Sequence, residues 1–323
     1  MSVQPVIVKK INMKKTIISI LVLLLLVTST NINAQPPGGM PKGDTAGIKN
    51  KWLDVAYASS SAAQKLDIYL PDEGDGPFPV IVSVHGGAFL MGDKADFQVN
   101  AMLNGLKRGY AVVSINYRLS GEAIFPAQIF DVKAAIRFIK ANATQYKLNP
   151  NKIAAWGGSA GGHLVSLLGT SGGVKKLEDK KMGNANHSSN VQAVVDWFGP
   201  INFIQMDEDF KKSGKGKADH SEADSPESKL IGKQITTAPA LVKAANPTTY
   251  ITKDDPPFFI QHGTVDRLVP TEQSINFSVA LQKVLGKEKV TLKLLEGVDH
   301  GGPQYETKEN IEMVFAFLDK YLK

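Results

Sequence analysis

The chain has 323 residues, 43% of them hydrophobic, with 37 Lys and Arg against 31 Asp and Glu for a formal net charge of +6, and it has no cysteine. That length and apolar content suit one main domain with a sizeable core, and the missing cysteine excludes a disulfide framework, a thiol nucleophile and a cysteine metal site. No clustered basic and aromatic face argues for nucleic acid, and the histidines and carboxylates show no metal-ligand spacing.

Taken in chain order, the first element is a targeting signal. Lys14 and Lys15 precede an apolar run over 17–27, and a polar stretch then ends at Ala34-Gln35. This pattern predicts a signal peptide over residues 1–34, cleaved after Ala34, with residues 1–12 an upstream extension before Met13. The apolar run is too short for a comfortable membrane span, and no lipobox cysteine offers a lipid anchor, so the expectation is an exported protein, periplasmic or extracellular, with no stable membrane anchor. The leader carries four lysines and no acid, so the mature chain holds 33 basic against 31 acidic residues, a balance of +2. Residues 35–47, rich in Pro and Gly, are expected to form a flexible tether.

The body over 48–323 alternates short apolar runs with amphipathic stretches. Strands are expected over 52–57, 65–70, 80–84, 111–116, 153–156, 191–197, 258–262 and 290–295, and helices over 97–108, 127–142, 160–169, 239–245, 271–285 and 308–322. Such alternation predicts an α/β fold, a mostly parallel eight-stranded sheet covered by helices on both faces. Ligands of such sheets bind beyond the carboxyl ends of the strands. The polar segment 202–237 interrupts the alternation and reads as a lid-like excursion bordering the site, or as a surface loop without contact to substrate.

Four motifs fall just after strands. His85-Gly86-Gly87-Ala88-Phe89 follows the run 80–84, and a glycine loop there can turn backbone N–H groups toward a carbonyl oxygen; His85 itself is expected to prop the loop. Gly157-Gly158-Ser159-Ala160-Gly161 joins a strand to a helix, the arrangement of a nucleophile elbow, in which Ser159 projects its hydroxyl from a sharp turn toward the positive end of the next helix. Asp266 lies beyond the strand 258–262, where it can orient an imidazole, while Asp254 and Asp255 fit turn roles. His300 lies beyond 290–295 near the C-terminus. It is the best base of six histidines: His163 falls on the helix after the elbow, His187 and His220 in polar segments, and His262 at a strand end, where packing or loop fixing suits it. Trp156 reads as core. Trp197 and Phe198 either stack on a sugar or cinnamoyl ring or fill the core at a strand end.

Ser159, Asp266 and His300 occur in the chain order of an α/β-hydrolase triad, and the chain resembles an α/β-hydrolase of the carboxylesterase type. Lys65-Leu66-Asp67-Ile68-Tyr69-Leu70-Pro71, His85-Gly86-Gly87, the stretch 157–162, Trp197-Phe198-Gly199-Pro200, Asp255-Pro256-Pro257-Phe258 and Asp299-His300-Gly301-Gly302 resemble bacterial acetyl-xylan and feruloyl esterases, over roughly residues 50–322. Hormone-sensitive-lipase-like esterases and kynurenine-formamidase-like amidases share a similar motif set. The resemblance implies an oxyanion hole made by the amides of Gly87, Ala88 and Ala160, although Ala88 stands where the lipase branch often has a third glycine. It also implies a serine hydrolase needing no cofactor and no metal, acting on acetylated or feruloylated xylan or its oligosaccharides. A short-chain carboxylesterase, an arylformamidase-like or peptidase-like hydrolase on the same motifs, and a non-enzymatic module on the same fold stay open.

Overall fold

The apolar runs pair into one sheet in the computed structural model, which describes residues 1–2 and 40–323. Apart from its first two residues the expected leader lies outside the described residues, as does 35–39 of the expected tether. The strands are β1 (Lys51–Ala56), β2 (Lys65–Tyr69), β3 (Phe78–Val84), β4 (Ala111–Ile115), β5 (Leu148–Gly158), β6 (Ala193–Trp197), β7 (Phe258–Gly263) and β8 (Val290–Leu295), in the spatial order β1-β2-β4-β3-β5-β6-β7-β8. β1 and β2, and β2 and β4, pair antiparallel; every other pairing is parallel. The expected eight-stranded, mostly parallel sheet is therefore present.

Alternation along the central strands feeds two cores. Val80, Val82 and Val84 of β3, Ala155 of β5 and Ile260 of β7 join one apolar cluster, and their neighbours Ile81, Trp156 and Phe259 join the other. The first is covered by α2 (Ala127–Ala141), α3 (Ala160–Thr170), α6 (Pro239–Ala245) and α7 (Thr271–Leu285), through residues such as Ile129, Leu164, Val242 and Phe277. The second is covered by α8 (Lys308–Leu322), through Val314, Phe315 and Leu318, and by α1 (Asn100–Leu103) through Met102. A sheet dressed on both faces leaves its strand ends as the place where polar loops converge.

Two expectations are corrected, and the excursion is given its internal structure. The helix expected over 97–108 is broken into a 3-10 turn Phe97–Val99, α1 and a second 3-10 turn Leu106–Arg108, which Gly109 closes in the left-handed region (φ 78°). Residues 40–47 are not a free tether: Lys42 bridges Asp96, the Gly43 amide donates to the Ala95 carbonyl and the Asp44 amide to Asn100 Oδ1. Composition could not reveal this, because the partners lie some fifty residues away. The excursion 202–237 holds a 3-10 turn Phe203–Gln205, α4 (Met206–Ser213), α5 (Pro226–Ile231) and a 3-10 turn Ile235–Thr237. Both helices are short, so their burial of Met206, Phe210, Leu230 and Ile231 rather than propensity accounts for them.

Candidate active site

β5 ends at Gly158 and α3 starts at Ala160, so Ser159 alone makes the turn, with φ 56° and ψ −124°. A non-glycine residue held there is strained. The turn is pinned by the Ser159 amide, which donates to the Trp197 carbonyl at 2.8 Å. It also requires Gly161, where an added Cβ would sit 2.1 Å from the Val84 carbonyl oxygen. The start of α3 thus lies directly on the end of β3, and the hydroxyl is half-buried at the sheet's carboxyl edge.

The loops after β7 and β8 bring the other two residues to that hydroxyl. Ser159 Oγ is 2.9 Å from His300 Nε2, and His300 Nδ1 is 2.7 Å from Asp266 Oδ2. Because a carboxylate only accepts, Nδ1 carries the imidazole proton and Nε2 is left to accept from the serine. Asp266 is fully buried, and its Oδ1 accepts from the amides of Leu268 and Val269, both at 2.8 Å. Burial alone would raise its pKa, but hydrogen bonds from His262 and His300 outweigh that and hold the carboxyl well below the usual carboxylate range. The His300 loop is fastened from outside by Asp299, which accepts from the His300 amide, the Arg267 amide and the Arg267 guanidinium. Phe198 sets its ring edge against the imidazole, centroids 4.6 Å apart.

The loop after β3 reaches the same point from the other side. A Cβ added at Gly86 would lie 3.3 Å from Ser159 Cβ. His85 does prop it: the ring stacks on Tyr117 at 4.4 Å, its Nδ1 lies 2.8 Å from the Gly86 carbonyl, and the Tyr117 hydroxyl donates to the His85 carbonyl. The Gly87 carbonyl accepts from the amides of Leu90 and Met91. Gly87, Ala88 and Phe89 all have positive φ, 110°, 55° and 61°. Among the described residues, the amides of Gly87, Ala88 and Ala160 donate to no protein acceptor. A serine whose proton has a path to an imidazole, beside unspent amide donors, is equipped to attack a carbonyl carbon and hold the resulting oxyanion.

The remaining residues separate clearly. Of the two readings of Trp197, stacking on a substrate ring or filling the core, the structure shows the second: it is 6% exposed and packs against Trp156 and Tyr305, because β6 directs it into the second core. Its neighbour Phe198 is the one that meets His300. Trp156 is core, as read. His163 is buried with Nδ1 2.7 Å from the Pro200 carbonyl, and burial pushes its pKa down to about 4. His187 is exposed, and His220 lies 3.2 Å from Glu227 within the excursion. The excursion itself borders the acid loop, with Lys215 Nζ donating to the Thr264 carbonyl, while Phe203 stacks on His163 at 4.8 Å. Sequence reasoning passed over the approach of His262 to Asp266, although their spacing of four residues across one turn was a signal.

The BD-FAE family model matches residues 66–281. Among curated proteins the chain is similar to the probable carboxylic ester hydrolase LipM of Mycobacterium tuberculosis, 32% identical over 250 residues that cover 76% of this chain and 55% of LipM. Among solved structures it is similar to a bifunctional GH43-CE protein of Bacteroides eggerthii, with 40% identity and a TM-score of 0.76 over 85% of this chain and 35% of that one. It is also similar to a truncated carbohydrate esterase from gut microbiota, with 35% identity and a TM-score of 0.78 over 87% of this chain and 99% of the other. The chain spans about half the length of the curated relatives it matches. The matched span runs from β2 into α7 and takes in the HGG loop, the elbow and the Asp266 turn; with its α/β-hydrolase fold, this chain belongs to the BD-FAE family.

Proposed function

We propose that this protein is an exported serine carboxylic-ester hydrolase that removes acetyl or feruloyl groups from xylan or its oligosaccharides. The observation that carries the reading is the continuous run Ser159 Oγ to His300 Nε2 and His300 Nδ1 to Asp266 Oδ2, at 2.9 and 2.7 Å, beside three amides that meet no protein acceptor among the described residues. In this reading His300 takes the Ser159 proton as the oxygen attacks the ester carbonyl, and Asp266 holds the tautomer and stabilises the imidazolium. The amides of Gly87, Ala88 and Ala160 receive the oxyanion. His300 then protonates the leaving alcohol, leaving an acyl group on Ser159, and water repeats the cycle to release the acid.

The carbohydrate side of the proposal is supported by the likeness to a carbohydrate esterase and by the motif set of acetyl-xylan and feruloyl esterases. Export is supported by Lys14-Lys15, the apolar run and Ala34. A second reading is a short-chain carboxylesterase on small molecules; the likeness to LipM, a probable carboxylic ester hydrolase, supports the ester chemistry that both readings share.

The test uses the mature protein and its Ser159→Ala variant on acetylated xylan, methyl ferulate and p-nitrophenyl acetate. Acetate or ferulate released by the wild type alone supports the xylan reading and ranks the acyl groups. Cleavage of p-nitrophenyl acetate with no release from either plant ester overturns the xylan assignment in favour of the small-molecule esterase. No cleavage of any ester overturns both.

A further inference from the structure

One buried polar chain on the far side of Asp266 has no part in the steps above. His262, at the end of β7, and Ser274, on α7, are both fully buried. His262 Nε2 lies 3.0 Å from the Val269 carbonyl and 3.2 Å from Asp266 Oδ2. Both of those groups only accept, so Nε2 carries the proton, and Nδ1 then accepts from the Ser274 hydroxyl at 2.7 Å. Each polar atom of the imidazole is satisfied in one tautomer, which an interior of low dielectric demands.

Asp266 Oδ2 therefore stands between two imidazoles, those of His300 and His262, while its Oδ1 is occupied by two amides. We propose that His262, locked by Ser274, is a positioning residue that aims Asp266 Oδ2 at His300 and drains part of its negative charge. This rests on the esterase reading, because it assigns His262 a role through Asp266 and His300 in the same reaction.

The physical consequence is a balance. A carboxylate sharing its charge with two imidazoles offers less of it to His300 than one facing His300 alone, while the second contact fixes the carboxylate plane so that Oδ2 stays on Nδ1. The other charged or titratable groups facing this chain are few. Asp196, on β6, is buried and feels the field of His262, and the Tyr305 hydroxyl is buried and feels Asp266. α7 presents Ser274, and the Arg267 and Asp299 pair lies outside the His300 backbone.

The experiment compares wild type, His262→Gln, His262→Leu and Ser274→Ala by kcat and KM against pH on p-nitrophenyl acetate, with thermal unfolding alongside. The low-field proton spectrum of the His300 Nδ1–H is recorded over the same pH range, which needs no turnover. Leucine removes the donor, so kcat falls by about tenfold to a hundredfold with KM little changed, and the acidic limb moves to higher pH. Glutamine, whose amide nitrogen falls near the position of Nε2, restores most of kcat and returns the limb toward wild type. Ser274→Ala gives a smaller change of the same sign, and it carries the test if the leucine variant does not fold.

A loss of kcat matched by loss of folded protein, with limb and low-field resonance unmoved, overturns the positioning role. So does a glutamine variant no better than leucine. A wild type inactive on esters, with a low-field resonance that still moves in the His262→Leu variant, would overturn the esterase reading while keeping the linkage between His262 and the Asp266–His300 pair.

Discussion

At Asp266 Oδ1 accepts from the Leu268 and Val269 amides, and Oδ2 accepts from His300 with His262 Nε2 3.2 Å away, whereas the amides of Gly87, Ala88 and Ala160 meet no protein acceptor among the described residues. The acid end is fully satisfied and fully buried. The loop end is half-buried and strained, with Ala88 and Phe89 in the left-handed region. In the proposed reaction the difference follows from when each group is needed: the charge on Asp266 is present throughout, so its partners are permanent, while an oxyanion exists only during reaction, so its donors are fixed in place and left unspent. The bonds from the Leu90 and Met91 amides to the Gly87 carbonyl, with His85 held on Tyr117, keep the loop in that strained form.

Breaking the satisfied end has the largest expected effect. Asp266→Asn keeps the shape but removes the acceptor that fixes the His300 tautomer, so kcat is expected to fall on the order of ten-thousandfold with KM little altered. Steady-state kinetics on p-nitrophenyl acetate checks this. Breaking the open end comes next. Gly161→Ala forces a methyl to within 2.1 Å of the Val84 carbonyl oxygen and pushes the start of α3, with the Ala160 amide, off β3; a cost of about 1–3 kcal/mol in unfolding and about a hundredfold in kcat is expected, read by denaturant melts and kinetics.

Below both ends lies Asp196, buried between the Ser166 hydroxyl and the Gly199 amide, where burial pushes its carboxyl up to about 6 despite those hydrogen bonds. A folded-state pKa above the unfolded value near 3.8 means that its contribution is full at pH below that value and is lost as pH rises through about 6. Asp196→Asn should therefore match the wild type in stability at pH 4 and exceed it at pH 7, by on the order of 2–3 kcal/mol. Melting temperatures across that range decide it. The smallest change belongs to the tie between the excursion and the acid loop: Lys215→Ala frees the Thr264 carbonyl at the surface and should cost at most about 1 kcal/mol, seen as a slight fall in melting temperature without a change in the acidic limb of kcat/KM.

How much of this was legible before the structure depends on how local each signal is. The apolar runs declared the strands most plainly in the middle of the sheet, where a parallel strand buried on both faces needs a near-continuous apolar segment, as in Val80-Ile81-Val82-Ser83-Val84. Ser159, Asp266 and His300 were legible because each follows such a run. The direction of Trp197 was not, since a strand end can send its side chain to either face and only the packing of Trp156 and Tyr305 decides. In the excursion, Ser225-Pro226 and Gly232 are a cap, a first-turn proline and a left-handed stop that do mark α5. They were outweighed by the polar composition around them. The docking of 40–47 on 93–100 is a contact of tertiary folding, which no window of sequence contains, whereas the four-residue spacing of His262 and Asp266 lay within one window and was not weighed.

The central claim, that Ser159 is a nucleophile served by His300 and Asp266, is tested most directly by rapid mixing of enzyme with p-nitrophenyl acetate followed by acid quench and peptide mass analysis. The account predicts a burst of p-nitrophenol equal to the enzyme present and one acetyl group on the peptide carrying Ser159, with neither in Ser159→Ala. Turnover with no acetylated peptide, or with the acetyl group on another residue, would contradict it.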